Sequence, residues 1–480
     1  MRRILKITGL FIFLLILGLV SKTFFLHSKQ IEVTRASLPS IDNKCIDRLK
    51  GAIVIPTISY DDSTKIDATT FTKLHKYIGK TFPLIHQKLV KMIFNRYSLM
   101  YTWKGKNSSL APILLLAHQD VVPADSRVWK YAPFSGYNDG SYLWGRGTLD
   151  NKGSMISIME AVEMLLKEGY TPNRTIILAF GNDEEIGGNG ARKMARWLKE
   201  KRVKAELVLD EGLVVTHGMV PLVSKPVALI GTSEKGYASV ELSCKAEGGH
   251  ASTPPKMTAI TILDRAINRV LRKAPHSMIA KPVNDFLNYL GPEVPWPARI
   301  LFANRWLFDP LIIRIYKKTP SGNALVSTTA APTIFQSGEK ENMLPVSARA
   351  VINFRLLPGD TPGLILDRVR RSIHDHRVSA RLIGKGGSAS PVSPVNTDAF
   401  NLIHRTIRQT FDNTLVMPAL MLALSDSRSY AGVSDNIYRF APYQMGNKDM
   451  ERIHGNNERI YIADYKKMIE FYYLLIRNSK

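Results

Sequence analysis

The chain has 480 residues, 45% of them hydrophobic and 22% charged, which suits a globular protein large enough for two or more domains. Its formal net charge of +24 suggests an anionic partner, either nucleic acid, a membrane surface or a small substrate. The basic residues are scattered and match neither an RNA-binding aromatic signature nor zinc-finger spacing, so no nucleic-acid partner is predicted.

The N-terminus combines a basic flank with an apolar run. Three basic residues within the first six precede an uninterrupted apolar stretch over residues 7–20, and apolar side chains at 24–26 extend it to about 20 residues, enough to span a bilayer. No small-residue cleavage motif follows. The pattern favours a membrane anchor over residues 1–28, with a cleaved signal peptide as the alternative and a buried helix as the weakest reading. Whether the segment is an anchor or a signal peptide, the bulk of the chain is expected to be extracytoplasmic: periplasmic, vacuolar or secreted, depending on the organism.

Three later apolar runs show no alternation, which predicts buried parallel strands. A helical pattern over residues 154–167, closed by Gly169, lies between the first two. Strands that alternate with helices predict an α/β fold, with a mostly parallel sheet covered by helices on both faces. Ligands of such sheets bind beyond the carboxyl ends of the strands. The side chains that follow these strands are His118 and Asp120, then Asp183, Glu184 and Glu185, then Asp210 and Glu211.

Carboxylates that converge repel one another unless a cation binds among them. One histidine with several acids suits two divalent ions, and zinc accepts that mixture of ligands. Ions about 3.5 Å apart need a shared ligand, and Asp150 is the predicted bridge because the small residues of GRGTLDNKG allow tight turns around it. Asp210, directly after its strand, is the preferred ligand, with Glu211 as the alternative.

Cys45 and Cys244 are the only cysteines, which excludes a cysteine-based zinc site.

The spacing of four side chains along the chain predicts a role for each of them. His118 and Asp120 are two apart on a strand and therefore point the same way. Asp120 is expected to accept the second ring proton of His118 and so fix its tautomer. Glu184 and Glu185 are adjacent, so their side chains diverge. One of them is expected to bind metal while the other faces the attacking water.

Five short motifs also follow one another in the order of a known enzyme family: LLLAHQDVVP, WGRGTLDNKGS, DEEIGG, LVLDEG and RIHGNNE. Over residues 45–475 the chain resembles the dinuclear zinc family that includes aminoacylase, glutamate carboxypeptidase and carboxypeptidase S. It is most similar to the carboxypeptidase S branch and to the vertebrate N-fatty-acyl-amino-acid synthase/hydrolases. The resemblance implies hydrolysis of the amide bond of N-acyl amino acids, or of N-blocked short peptides, that carry a free C-terminal carboxylate.

The resemblance further implies a role for each site residue. The implied ligands are His118 and Asp210 for one metal ion, Glu185 and His454 for the other, and Asp150 between them. Glu184 would be the general base and Asp120 would support His118. By pattern alone, the histidine of ERIHGNNERI is a surface residue, so the role of His454 rests on the resemblance.

The same resemblance implies a catalytic domain over residues 45–233 and 385–480, with a lid inserted over residues 234–384. Alternating strands and the helix TAITILDRAINRVLRK suit a two-layer α+β unit for that lid. In the family, the histidine that matches His250 reaches a partner subunit's active site across a lid-mediated homodimer, and the arginine that matches Arg355 holds the substrate carboxylate. By pattern alone, one is a turn histidine and the other an edge-strand arginine.

Other functions remain open on the same pattern. An aminopeptidase or a deacylase of small N-acetyl compounds would use the same dinuclear site without a carboxylate clamp. A non-catalytic binding protein would lack a base or a ligand, and a serine hydrolase is excluded because no G-x-S-x-G occurs.

Residues 281–320 are apolar, aromatic and rich in proline, and they look inserted into the lid. There they would line an acyl pocket, pack on a membrane or act as a structural cover.

Overall fold

The computed structural model describes residues 1–34 and 36–480, with the backbone alone at positions 2, 63 and 385. The chain forms two compact units. The larger unit comprises Ser28–Thr232, Pro292–Pro295 and Ser393–Lys480. The smaller unit comprises Met1–His27, Ser233–Gly291 and Trp296–Val392.

Side-chain caps begin several of the helices: Asp67, Thr258 and Thr397 each accept a hydrogen bond from a backbone N–H of the first turn that follows. The α-helices of the described residues are, in chain order, α1 (Arg2–Ser21), α2 (Lys44–Ile53), α3 (Ala68–Thr81), α4 (Pro83–Lys88), α5 (Lys152–Lys167), α6 (Asn189–Glu200), α7 (Ala259–Lys273), α8 (Lys281–Leu290), α9 (Trp296–Ala303), α10 (Arg305–Tyr316), α11 (Pro320–Val326), α12 (Pro362–Ile373), α13 (Asp398–Thr410) and α14 (Ile462–Asn478).

The strands of the described residues belong to several sheets. They are, in chain order, β1 (Val90–Phe94), β2 (Ser98–Trp103), β3 (Ile113–His118), β4 (Tyr137–Asn138), β5 (Tyr142–Trp144), β6 (Ile176–Gly181), β7 (Leu207–His217), β8 (Val227–Glu234), β9 (Gly236–Lys245), β10 (Gly249–His250), β11 (Thr329–Ser337), β12 (Met343–Leu344), β13 (Ser347–Leu356), β14 (Val378–Gly387), β15 (Leu415–Met421), β16 (Ile437–Gly446) and β17 (Arg459–Tyr461).

The larger unit is built on an eight-stranded sheet in the order β1-β2-β6-β3-β7-β16-β8-β15. Its centre is parallel, because β6, β3, β7 and β16 run the same way, while β2 joins β6 and β8 joins β16 antiparallel. Every residue of β3 and β6 is buried, as apolar runs without alternation predict. The helices α5, α6 and α14 pack on the sheet. The predicted α/β fold is confirmed, as a mixed sheet that is parallel at its centre.

The helix α5 begins at Lys152, two residues before its predicted start. Hydrophobic periodicity placed the start of α5 too late because 14 of its 16 residues are buried, including polar ones. In so central a helix, the apolar residues alone do not mark its ends. Buried Lys152 is satisfied by main-chain oxygens, since its Nζ donates to the carbonyls of Ala52 and Ile55 at 3.1 and 2.5 Å. Gly169 ends the helix as predicted, in a left-handed conformation with φ of 71°.

The smaller unit contains a four-stranded antiparallel sheet in the order β11-β13-β9-β14. Alternate residues of its strands form one apolar core with α7 and α12, for example Val240 and Leu242 of β9 with Leu263 of α7. This is the two-layer α+β composition predicted for the lid. The predicted bounds of the lid, residues 234–384, stay a prediction.

The N-terminal segment of the smaller unit is one long apolar helix. Residues Arg3–Phe25 form a span of 23 residues with mean hydropathy of 2.5, long enough to cross a membrane. By length and composition alone, a membrane anchor and a signal sequence fit this helix equally well.

Candidate metal centre

The site of the larger unit forms where parallel strands end side by side. His118 is the last residue of β3 and pairs with Gly181, the last residue of β6. Glu184 and Glu185 begin a 3₁₀ turn just beyond β6. Because the carboxyl ends of neighbouring parallel strands meet at one edge, these side chains converge as expected.

His118 is buried and held at both ring nitrogens. Its Nδ1 lies 2.9 Å from the main-chain oxygen of Asp120 and 3.4 Å from Asp120 Oδ1. The carbonyl is the closer acceptor, and it leaves Nε2 with a lone pair towards the site. The expected contact with the Asp120 carboxylate is therefore present but secondary. That carboxylate instead accepts the backbone N–H groups of Glu184 and Glu185, both at 3.2 Å, and so positions their turn.

Asp150 lies between two histidines. Its Oδ1 is 2.8 Å from His118 Nε2, and its Oδ2 is 3.0 Å from His454 Nε2. His454 Nε2 is also 3.1 Å from Glu185 Oε2. The structure thus brings His454 to the site, 336 positions along the chain from His118. A carboxylate whose two oxygens face different histidines has the geometry of a bridge between two ions.

Glu184 and Glu185 diverge, as their adjacency predicts. One ligand atom each from His118, Asp150 and Glu185 lie within 4.8 Å of one another, and the same holds for His118, Glu184 and Glu211. Each glutamate therefore belongs to a different group of side chains.

The adjacent acids on β7, Asp210 and Glu211, make different contacts, and which of the two binds metal stays a prediction. Glu211 Oε1 lies 3.2 Å from His118 Nε2. Asp210 accepts backbone N–H groups instead: Oδ1 from Glu211 at 2.9 Å and Oδ2 from Ser427 at 2.8 Å.

A pair of substitutions separates these acids. Glu211→Gln is expected to lose metal during dialysis against a chelator, because the amide has no charge with which to hold a cation. Asp210→Asn keeps an oxygen acceptor and should lose no more than the roughly 10- to 100-fold in metal affinity that is typical of outer-shell partners. Metal content per chain, measured by plasma emission, decides between them. The reverse ranking of the two variants would restore Asp210 as the ligand.

The acids of the site are partly buried and lie close to one another, which disfavours their charged forms. Burial raises the pKa of Glu184 well above its ordinary value and that of Glu211 to about 8. Hydrogen bonds to Asp150 and Glu185 raise the pKa of His454 to about 10. These groups hold protons where a cation would serve the same purpose.

The donor set fits divalent metal ions. It combines histidine nitrogens with carboxylate oxygens, a mixture that zinc accepts. Among the described residues, Glu185 Oε1 is buried without a hydrogen-bond partner. A buried carboxylate oxygen without a donor is costly unless a cation binds it.

Two residues that were not predicted from the sequence, Glu458 and Arg146, hold the site together. Glu458 is fully buried, and its Oε1 accepts the backbone N–H groups of Gly147, Leu149 and Asp150 at 3.0, 2.8 and 3.2 Å. Its Oε2 pairs with Arg146 Nη1 at 2.8 Å. Arg146 Nη2 in turn donates to the carbonyl oxygens of His454 and Gly455, at 3.2 and 3.0 Å. One buried ion pair therefore ties the loop of Asp150 to the loop of His454. In the sequence, the only signal of this ion pair was the acid that ends the motif RIHGNNE.

The other two predicted residues belong to the smaller unit. His250 lies on β10, is exposed, and has Nδ1 2.7 Å from Ser252 Oγ. Arg355 lies on β13 between Thr329 and Tyr237, with its guanidinium carbon 5.3 Å from the centre of the Tyr237 ring. Their roles towards substrate stay predictions.

Solved structures show the same fold. An M20 family metallo-carboxypeptidase from Sulfolobus solfataricus aligns with a TM-score of 0.66 at 20% identity, over 92% of this chain and 99% of that one. Human carnosine dipeptidase 1 aligns with a TM-score of 0.61 at 13% identity, over 91% of this chain and 96% of that one. At these identities the likeness concerns the fold alone.

Curated sequences are more similar. The chain is 40% identical to a protein of Dictyostelium discoideum named "Probable carboxypeptidase S-like 2", over 97% of this chain and 92% of that protein. It is 39% identical to the N-fatty-acyl-amino acid synthase/hydrolase of Xenopus tropicalis, over 90% of this chain and 85% of that protein. A family model described as peptidase family M20/M25/M40 matches residues 114–478. The chain therefore belongs to peptidase family M20/M25/M40 and is a hydrolytic enzyme.

Proposed function

We propose that the enzyme hydrolyses the amide bond of N-acyl amino acids, or of N-blocked short peptides, that end in a free carboxylate. The observation that carries the proposal is the divergence of Glu184 and Glu185 into two groups around His118, each of which could hold a metal ion. We assign proton transfer to Glu184 and metal binding to Glu185. The names of the two similar proteins, a carboxypeptidase S-like protein and an N-fatty-acyl-amino acid synthase/hydrolase, support this substrate class.

We propose two divalent ions, with zinc as the native metal. His118 and Glu211 would hold one, Glu185 and His454 the other, with Asp150 between them. We choose Glu211 because its Oε1 lies 3.2 Å from His118 Nε2; Asp210, the ligand predicted from the sequence, stays the alternative. When bound, such ions polarise a carbonyl and lower the pKa of a water towards about 7.

The chain's own residues then carry the reaction. Glu184 accepts a proton from the attacking water at its carboxylate and gives it to the leaving nitrogen. The Asp120 carboxylate keeps Glu184 in place through the backbone N–H bond at 3.2 Å. Arg355 holds the free carboxylate of the leaving amino acid with its planar fork. His250 of a partner subunit stabilises the oxyanion. This last role requires the homodimer through the lid, which is proposed with it.

The carboxylate clamp distinguishes this function from the alternatives. Arg355→Lys keeps the charge but loses the fork, so KM for N-acyl amino acids should rise roughly tenfold, about 1.4 kcal/mol for one lost charge-assisted hydrogen bond. The matching carboxamides should be poor substrates for both forms, with unchanged KM. Arg349→Lys, on the same strand but paired with Glu241, is the control and should behave as wild type.

Steady-state assays on a panel of N-acyl amino acids and their carboxamides provide the test. Equal turnover of carboxylates and carboxamides by the wild type, together with no effect of Arg355→Lys, would contradict the proposal. That result would favour an aminopeptidase or a deacylase of small N-acetyl compounds.

We also propose that α1 is a retained membrane anchor and that the rest of the chain is extracytoplasmic. Contacts at the end of the helix support retention. Thr23 is 2% exposed, and the side-chain amide of Asn304 donates to the Leu19 carbonyl at 2.9 Å. A segment removed by signal peptidase would have no use for specific contacts with the mature protein.

A further inference from the structure

We propose that the smaller unit carries a second membrane-contacting surface, which lies in the headgroup layer beside the anchor. This docking surface consists of exposed apolar side chains on the turn after α1, on α9 and on α10: Phe24, Phe25, Trp296, Trp306, Leu307, Leu311 and Ile315. Its occupant is the lipid bilayer itself. The inference rests on the proposed anchor and goes beyond the proposed hydrolysis.

The end of α1 sets the depth of the surface. Leu19 and Lys22 lie near the C-terminal end of the span Arg3–Phe25, where a bilayer-crossing helix reaches the headgroups. Buried Asn304, which directly precedes α10, donates to the Leu19 carbonyl at 2.9 Å. Lys22 Nζ lies 5.7 Å from the centre of the Trp306 ring. If α1 spans the membrane, Trp306 therefore lies at the interface, where tryptophan is enriched.

The helix α10 turns its apolar side chains outward. Trp306, Leu307, Leu311 and Ile315 are 66%, 42%, 44% and 47% exposed. At about 100° per residue they occupy one half of the helix circumference. Buried Ile312 lies on the other half. A helix facing water would carry polar residues on the outer half, so this orientation indicates an apolar neighbour there.

The charge of this segment suits anionic lipid headgroups. Residues 296–326 contain five basic residues and one acidic residue, a net charge of 5 − 1 = +4. That acid, Asp309, is paired with Arg305 at 2.9 Å. Arg314, Lys317 and Lys318 are exposed at the C-terminal end of α10. Tryptophan and leucine beside basic residues are typical of helices that lie in the membrane interface.

Quenching by brominated lipids tests this arrangement on the full chain. The protein is reconstituted into vesicles of phosphatidylcholine and phosphatidylglycerol, with or without bromine on the acyl chains near the headgroups. Wild-type tryptophan emission is expected to be quenched. Trp306→Phe and Trp296→Phe should each lose part of that quenching, and the double variant most of it. Trp197→Phe removes a half-buried tryptophan of the larger unit and is the control, with quenching unchanged.

A label provides an independent readout. Both natural cysteines are buried, so an introduced cysteine is labelled selectively with an environment-sensitive fluorophore. Ile315→Cys should show a blue-shifted emission in vesicles, whereas Lys256→Cys, exposed elsewhere on the smaller unit, should not.

Vesicle flotation separates the possible failures. Flotation without quenching at Trp306 and without a shift at position 315 would leave the anchor intact and overturn the docking surface. A different outcome is a shift of the label at position 315 in the absence of lipid as the protein concentration rises. That result would assign the surface to a second copy of the chain and would also overturn the proposal. Loss of flotation in the wild type would overturn the anchor and the docking surface together, and leave the proposed hydrolysis untouched.

Discussion

Glu184→Gln is expected to lower kcat on the order of 100-fold or more while the metal content stays that of the wild type. The amide has the size of the carboxylate but cannot accept a proton at physiological pH. The backbone N–H of Glu184 still reaches Asp120 Oδ1, so the turn after β6 is kept. Loss of the proton acceptor therefore acts on the chemical step and not on the site's assembly.

The matched variant is Glu185→Gln, one residue further along the same turn. Its Oε2 lies 3.1 Å from His454 Nε2, within the other group of side chains, and its loss should reduce metal content as well as activity. Steady-state kinetics with metal counting on both variants distinguishes base from ligand. Near wild-type turnover in Glu184→Gln would remove Glu184 from the role of base.

His454→Ala is expected to lose at least one metal equivalent per chain, and with it nearly all activity. His454 Nε2 lies within 3.1 Å of both Asp150 Oδ2 and Glu185 Oε2, and no other ring reaches these two oxygens among the described residues. Removal of the imidazole leaves Asp150 Oδ2 and Glu185 Oε2 without this nitrogen partner, and an ion bound there would lose a strong ligand.

The main-chain carbonyl that Arg146 binds is unaffected by His454→Ala, so the loop itself should stay in place. His217→Ala is the control, since that ring lies in the same unit but contacts Gln444 at 2.7 Å. Plasma emission on the purified variants measures the metal content. Two ions still bound per chain in His454→Ala would contradict the assignment of His454 as a metal ligand.

Sequence alone determined the fold class and one edge of the site. The runs before His118 and Glu184 are apolar without alternation, so they had to be buried strands, and the helix between them made their pairing parallel. Parallel strands deliver their next residues to a common edge whatever the rest of the chain does. For this reason the convergence of these acids was predictable, and so was the divergence of Glu184 from its neighbour.

Other features depended on tertiary contacts between distant segments. The pattern preferred Asp210 to Glu211 as a ligand but could not report their contacts, such as the hydrogen bond that Asp210 Oδ2 accepts from the Ser427 N–H, 217 positions away. The tie between Arg146 and Glu458 joins residues 312 positions apart, and no local periodicity reports it.

The N-terminal helix shows the same division. Its length and apolar composition were plain in the sequence, as was the apolar character of residues 281–320. That Asn304 binds the carbonyl of Leu19, 285 positions away, is a matter of packing. Local propensity acts over one or two turns of chain, whereas contacts of this separation are selected by the whole fold, and only the tertiary structure decides them.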